Sequence, residues 1–296
     1  MIKITLPNGT LREYDQPLSV FEVAASIGFP LAKAAVAGRV DGVLVDCGFM
    51  IEGNARVSIV TPREPDGLEI LRRSCTLMLG MAVRHLQPAA QCLAGSAWGD
   101  GFFYEFATAQ PLTFGELPQL EARMQAIAAT NHPIRPRLKT AGRTLYQMGD
   151  YEIWSTGPHV PTTAVMQAFS LNHINGTSRQ RIYGTCWSSK EELEHWQAPQ
   201  QAMVLTINER QAEYGQSVTE ILRRSGLRAT ADLRDETIGY KIREHSLKGV
   251  PYLLVVGEKE QVGGFVSVRS GGGESLGEMP VVALGDFFSS SGIQGA

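Results

Sequence analysis

Residues 230 to 257, TADLRDETIGYKIREHSLKGVPYLLVVG, constrain the fold of this chain more than any other stretch. Ala229, Ala231 and Leu233 alternate as in a strand. Ile238, Ile242, Ser246 and Leu247 then recur at helical spacing, with Lys241, Arg243 and Lys248 outside that stripe. Gly249 supplies a stop, and Pro251 follows where a helix cannot continue. Tyr252 to Val256 is a short apolar run of the kind buried on both faces of a sheet. The spacing predicts a strand–helix–strand unit with a partly basic helix.

The whole chain has 296 residues, 43% apolar and 19% charged, enough for two or three cores. No apolar run approaches the length of a membrane span, and the N-terminus lacks a basic-then-apolar signal pattern. Cys47, Cys75, Cys92 and Cys186 are far apart and form no CxxC pair, which suits reduced thiols in a cytoplasmic protein better than a zinc cage. The formal net charge is −3. Phosphate contacts supply most nucleic-acid affinity, so any RNA binding must come from local basic patches.

Residues 1–61 read as a small β-rich domain. Ile2, Ile4 and Leu6 alternate, and Asn8-Gly9 and Asp41-Gly42 are hairpin signals. Ser19 caps a predicted helix to Ile27, which Gly28 ends. Strand, strand, helix, strand, strand is the order of a ubiquitin-like β-grasp. In the middle, Asp66 is placed to cap a helix from Gly67 to about Leu86, and Ser188 with Glu191 forms a capping-box pattern for a short helix. Beyond residue 202, β and α segments alternate as in a mostly parallel sheet with helices on both faces. The fold class expected is a multidomain α+β and α/β chain.

The wording is more specific than the spacing. DLRDETIGYKIREHSLKGVPYLLVVG closely resembles the anticodon-binding domain of threonyl-tRNA synthetases. ITLPNGT, DQPLSVFEVAASIG and LAKAAVAGRVDG resemble the small N-terminal TGS domain of that family, and GLEILRRSCTLMLGMAV, WGDGFFYEF and SRQRIYGTCW its editing domain. The resemblance implies three regions: a TGS-like β-grasp at 1–61, a shortened α+β editing-like domain at 62–196, and an α/β anticodon-binding-like domain at 202–296. It also implies an omission. Where the family has a class II catalytic core, Gln197 to Gln201 leads straight into Met203 to Ile207. That leaves no room for an ATP site, so aminoacylation is not expected, and the resemblance implies no cofactor and no metal.

In the family, two histidines four apart on one helix, with a cysteine and a further histidine on a later loop, hydrolyse wrongly attached serine. Leu77, Met81, Ser155 and His159 stand in those four places. One histidine and one serine lack the base and orienting partner that hydrolysis requires, so the editing site is expected to be dismantled, with Leu77 and Met81 filling it. Ser155, His159 and Cys186 are the nearby side chains left for any other chemistry. Arg135, Arg137, Lys139 and Arg143, and further on Arg179 and Arg181, are placed to meet phosphates or to form a solvated surface.

Glu260 and Arg269 stand where the family reads the anticodon with a glutamate and an arginine, and Lys241, Arg243 and Asp235 complete the candidate RNA contacts. Asp235 replaces an asparagine, Thr237 a lysine and Gly249 an arginine, which removes positive charge from that face. The resemblance therefore points to a non-catalytic, monomeric tRNA-binding factor whose partner is threonine tRNA, charged or uncharged. The alternatives are a trans-editing or other aminoacyl-tRNA enzyme, and an RNA-free scaffold that pairs with a full-length synthetase or a pathway enzyme.

Overall fold

The structure, a computed structural model, describes residues 1–290. The chain divides into two compact units, one ending at Leu193 and the other beginning at Glu194.

The first unit opens with β1 (Ile2–Thr5), β2 (Leu11–Tyr14), β3 (Leu18–Ser19), α1 (Val20–Ile27), α2 (Phe29–Ala34), β4 (Ala37–Val40), β5 (Val43–Val45), β6 (Met50–Ile51) and β7 (Ala55–Val60). The main sheet runs β2-β1-β7-β4-β5, with β1 and β7 parallel and the other pairs antiparallel. Ser19 caps α1 in a capping box with Glu22. Asp41-Gly42 joins β4 and β5 in register Val40 to Val43, the two-residue turn that the sequence predicts. Ile4, Val20, Val23 and Val57 form the core of this part.

The same unit continues with α3 (Pro65–Leu86), β8 (Gln91–Trp98), β9 (Gly101–Ala107), α4 (Leu117–Ala129), β10 (Ile134–Thr140), β11 (Arg143–Met148), β12 (Tyr151–Ser155), β13 (Ala168–Gly176) and β14 (Arg179–Trp187). An antiparallel sheet, β13-β14-β9-β8, turns Phe102, Tyr104 and Phe106 onto α3, and a second sheet, β10-β11-β12, adds Ile134, Tyr146, Met148 and Tyr151 to that core. Val36, Ala37 and Val60 join it from the N-terminal strands. The expected boundary at residue 61 thus falls within one packed unit. Gly67 shows how tight the join is: a Cβ there would sit 1.9 Å from the Thr61 carbonyl oxygen, so only glycine lets α3 start beside β7. Pro65 begins α3 and Asp66 ion-pairs with Arg39, so Asp66 is not the cap its position suggested. Burial decides the character of this helix: from Ile70 to Val83 it is enclosed on nearly every side, Arg72, Ser74 and Thr76 included.

The boundary between the units falls within α5 (Lys190–Gln197), where Ser189 accepts the Glu192 N–H and Ser188 pairs with the Glu192 carboxylate, one residue beyond the expected Glu191. The second unit contains β15 (Ala202–Thr206), α6 (Ala212–Arg224), β16 (Ala229–Asp232), α7 (Ile238–Leu247), β17 (Tyr252–Val256), α8 (Glu258–Gly263), β18 (Phe265–Ser270), β19 (Ser275–Pro280) and α9 (Leu284–Ser290). The sheet order is β16-β15-β17-β18-β19, parallel across the first three strands and antiparallel beyond. It is therefore mixed, half as parallel as the β/α alternation suggested, because β18 and β19 return by short turns that hold no long helix. Val218, Leu222, Leu284 and Phe288 cover one face, and Ile238 and Ile242 cover part of the other.

Candidate nucleic-acid interface

The sequence-predicted contacts of the second unit separate into exposed and internal groups. Arg243 is exposed on α7, and Asp235 is exposed in the segment before it. Arg269 is half-buried on β18, where Nη1 donates to the Gly273 carbonyl at 3.2 Å. Glu260 is only 8% exposed. Its Oε2 accepts the Gly257 N–H at 2.9 Å and its Oε1 the Ser267 hydroxyl at 2.8 Å, so it caps α8 and ties that helix to β18. Ser267 and Arg269 alternate onto one face of the sheet, opposite Val255 and Leu253. Glu260, Ser267 and Arg269 therefore form one cluster, with Glu260 as its anchor.

Lys241 corrects the reading of α7. Its exposure is 0%, and Nζ donates to the Thr206 carbonyl at 2.8 Å, the Asp232 carbonyl at 3.1 Å and the Thr206 hydroxyl at 3.3 Å. An ammonium so enclosed cannot touch a ligand. Instead it binds together the carboxyl ends of β15 and β16. The inward stripe is Ile238, Lys241, Ile242 and His245, and Leu247 points outward. His245 Nε2–H donates to Asp232 Oδ2 at 2.8 Å, and Arg234 donates to the same carboxylate. Burial pushes the Asp232 carboxyl up, but hydrogen bonds from Arg234 and His245 win and hold it well below the usual carboxylate range. Burial lowers the Lys241 ammonium, with Asp232 opposing. The two lost cations also have structural uses: Thr237 caps α7 through the Tyr240 N–H, and Gly249 ends it at φ +73°, where arginine would be strained.

In the first unit, Leu77 and Met81 lie on α3 in the core. Each buried side chain of that kind stabilises by roughly 1.5–3 kcal/mol. His159 is 1% exposed. The Ser74 hydroxyl donates to the Ile70 carbonyl at 2.7 Å, so its lone pairs accept the Val160 N–H at 3.0 Å and His159 Nδ1–H at 3.1 Å. That assigns the proton to Nδ1 and leaves Nε2 to accept from the Ser155 hydroxyl at 2.8 Å. Asp46 closes the group from the N-terminal strands. Its Oδ1 accepts the His159 backbone N–H at 2.9 Å and its Oδ2 the Tyr146 hydroxyl at 2.9 Å. Arg73 donates to the Gly157 carbonyl at 2.6 Å.

The Ser155–His159 bond has the direction of a serine–base pair, but the base is too weak. Burial, and behind it the positive Arg73, lowers the imidazole to about 3. Its other nitrogen meets a hydroxyl and not a carboxylate. Cys186 is fully buried and offers no nucleophile. Asp46, Ser74, Tyr146 and Arg73 carried no signal in the sequence, because Asp46 and His159 are brought together only by the fold. Among the described residues, no three His, Cys, Asp or Glu side chains converge on a metal site, and no helix is long and apolar enough to cross a membrane.

Two outcomes follow from these environments. Lys241→Met will remove the ammonium's bonds to the Thr206 and Asp232 carbonyls, the latter keeping its bond from the Thr206 hydroxyl, and lower unfolding stability by about 2 kcal/mol, while RNA affinity of the folded protein stays unchanged. Unaltered stability with lost RNA binding would return Lys241 to the interface. For His159, the pKa of about 3 when folded against 6.5 as the ordinary value means that the unfolded chain takes up the proton first. Stability from this site is complete above about pH 6.5 and falls as pH drops, by up to about 1.4 kcal/mol per unit. Urea unfolding at stepped pH reads that slope, and His159→Gln should flatten it. An equal slope in both proteins would contradict the assignment.

Residues 2–61 match the TGS domain family and residues 201–290 the anticodon binding domain family. Among curated proteins, the threonine–tRNA ligase of Methylibium petroleiphilum is 39% identical over 231 residues, covering 66% of this chain and 36% of that protein. The threonine–tRNA ligase of Hahella chejuensis is 37% identical over 225 residues, covering 64% and 35%. The chain spans about a third of the length of these relatives. Among solved structures, the RNA binding domain of threonyl-tRNA synthetase from Cryptosporidium parvum covers 75% of this chain and 60% of that one at 18% identity, with a TM-score of 0.30, too loose an overlay to add weight. The chain carries a TGS domain and an anticodon binding domain, and it is similar to threonine–tRNA ligases over about two thirds of its length.

Proposed function

We propose that this protein is a tRNA-binding factor that does not aminoacylate, gripping threonine tRNA through its C-terminal domain and serving as an accessory, carrier or regulator of that tRNA. The observation that carries the reading is the match of residues 201–290 to an anticodon binding domain, reached from β14 by a single short helix. Arg243 and Arg269 supply its cationic contacts, and Asp235 and Glu260 offer acceptors for base amino groups, Glu260 only through lone pairs left over from capping α8. Lys241 has no part in it. The closed Ser155–His159 group supports a middle region that shapes and positions without hydrolysing.

Binding to uncharged and charged threonine tRNA, against an unrelated tRNA, across a salt series tests this. Selective binding that weakens with salt is expected, and Arg269→Ala should lower affinity about tenfold and shallow the salt slope by about one. Feeble, equal binding to every tRNA would leave an interaction scaffold as the better account. Release of serine from seryl-tRNA would overturn the non-catalytic half of the proposal.

A further inference from the structure

The sheet β10-β11-β12 has one face in the core and one in solvent, and the solvent face is unusual. Cross-strand partners share a face, so the register sorts its residues. Ile134, Met148 and Tyr151 form a buried row, and Pro136, Tyr146 and Ile153 continue it. The opposite face carries the row Leu138, Leu145 and Trp154, in which Leu138 is 55% and Trp154 41% exposed. Arg135 lies on the same face one row before this apolar bar, beside Gln147 and Glu152, and Arg143 lies one row after it. Arg137 is the extra residue of a bulge between Pro136 and Leu138. All three arginines are exposed, and their guanidinium groups meet no carboxylate or carbonyl among the described residues.

The bulge has a second effect. It shifts the alternation of β10 so that Lys139 falls in a row with Thr144 and Ser155 on the other face, where its charge acts on Asp46. The end of this sheet therefore joins the exposed arginines to the rim of the Ser155–His159 group.

We infer that the outer face of β10-β11-β12 is a binding surface for single-stranded RNA, with Trp154 as the stacking platform and Arg135, Arg137 and Arg143 as phosphate contacts. This rests on the reading of the protein as an RNA binder and assigns it a second contact surface, away from the anticodon binding domain. Unpaired guanidiniums around an exposed indole are what a flexible polyanion with aromatic bases requires. The competing explanation is defence of an edge strand. Proline, charges and a bulge on β10 do blunt an edge. They do not account for Leu145 and Arg143 on the central strand β11, nor for an exposed tryptophan, Trp154, on β12. An apolar bar flanked on β10 and β11 by three arginines, with Glu152 the acidic neighbour on β12, in a chain of net charge −3 is a local patch, not a general surface property.

The test uses the full chain and two labelled RNAs, an unstructured oligoadenylate and a hairpin carrying a threonine anticodon. Trp154→Ala should weaken oligoadenylate binding about tenfold or more, while Trp154→Phe, which keeps an aromatic face, should largely retain it. Replacing Arg135, Arg137 and Arg143 together by glutamine should shallow its salt slope by about two. Hairpin binding should be untouched in all variants. Hairpin binding without oligoadenylate binding, or oligoadenylate binding that ignores these substitutions, overturns the inference and leaves the proposed function standing. Loss of hairpin binding alone, in the unaltered chain, sinks the anticodon reading and leaves this surface in place. Self-association abolished by Trp154→Ala would show that the face packs against another copy of the chain, and the inference would fall.

Discussion

Asp46 is the hinge pin of the first unit. One half-buried carboxylate takes the His159 backbone N–H on one oxygen and the Tyr146 hydroxyl on the other, joining the β-grasp strands to the β10-β11-β12 sheet and the loop after it. Burial pushes this carboxyl up, and those two hydrogen bonds oppose the shift only in part. Ser74 does the same from α3, using its proton and two lone pairs on Ile70, Val160 and His159. A site in which every polar group is already paired internally is rigid, and it leaves little for a substrate. Leu77 and Met81 add apolar volume to the same core from α3.

The second unit has a parallel arrangement built on a cation. Lys241 gathers the strand-end carbonyls of β15 and β16, and Asp232, His245, Arg234 and Glu244 form the ionic group around it. The charges one would assign to an RNA surface from the sequence are here divided. Lys241 holds strand ends together, while Arg243 is exposed and Arg269 half-buried. Glu260 sits between the two roles, since capping α8 also fixes Ser267 beside Arg269.

Much of this was legible in the sequence, and the exceptions have physical causes. Short-range chemistry read well: the Ser19 cap, the Asp41-Gly42 turn and the strand–helix–strand of residues 229–256 are all present. The TGS and anticodon binding regions were legible from wording. The face of α7 was not, because polarity argues for exposure until the fold supplies carbonyls for Lys241 and a carboxylate for His245. Asp66 and Glu191 fitted cap patterns, yet neighbouring residues took those places. The apolar bar on β10-β11-β12 was hidden by the bulge at Arg137, which breaks the period of two on which strand reading depends.

The central claim is that this threonine–tRNA ligase-like chain binds threonine tRNA and does no chemistry on it. Sequencing the RNA crosslinked to the protein in cells tests it most directly. Enrichment of threonine tRNAs, with crosslinks in the anticodon loop mapping to the C-terminal domain, is the result predicted. Crosslinks spread evenly over all RNAs, or none above background, would contradict it.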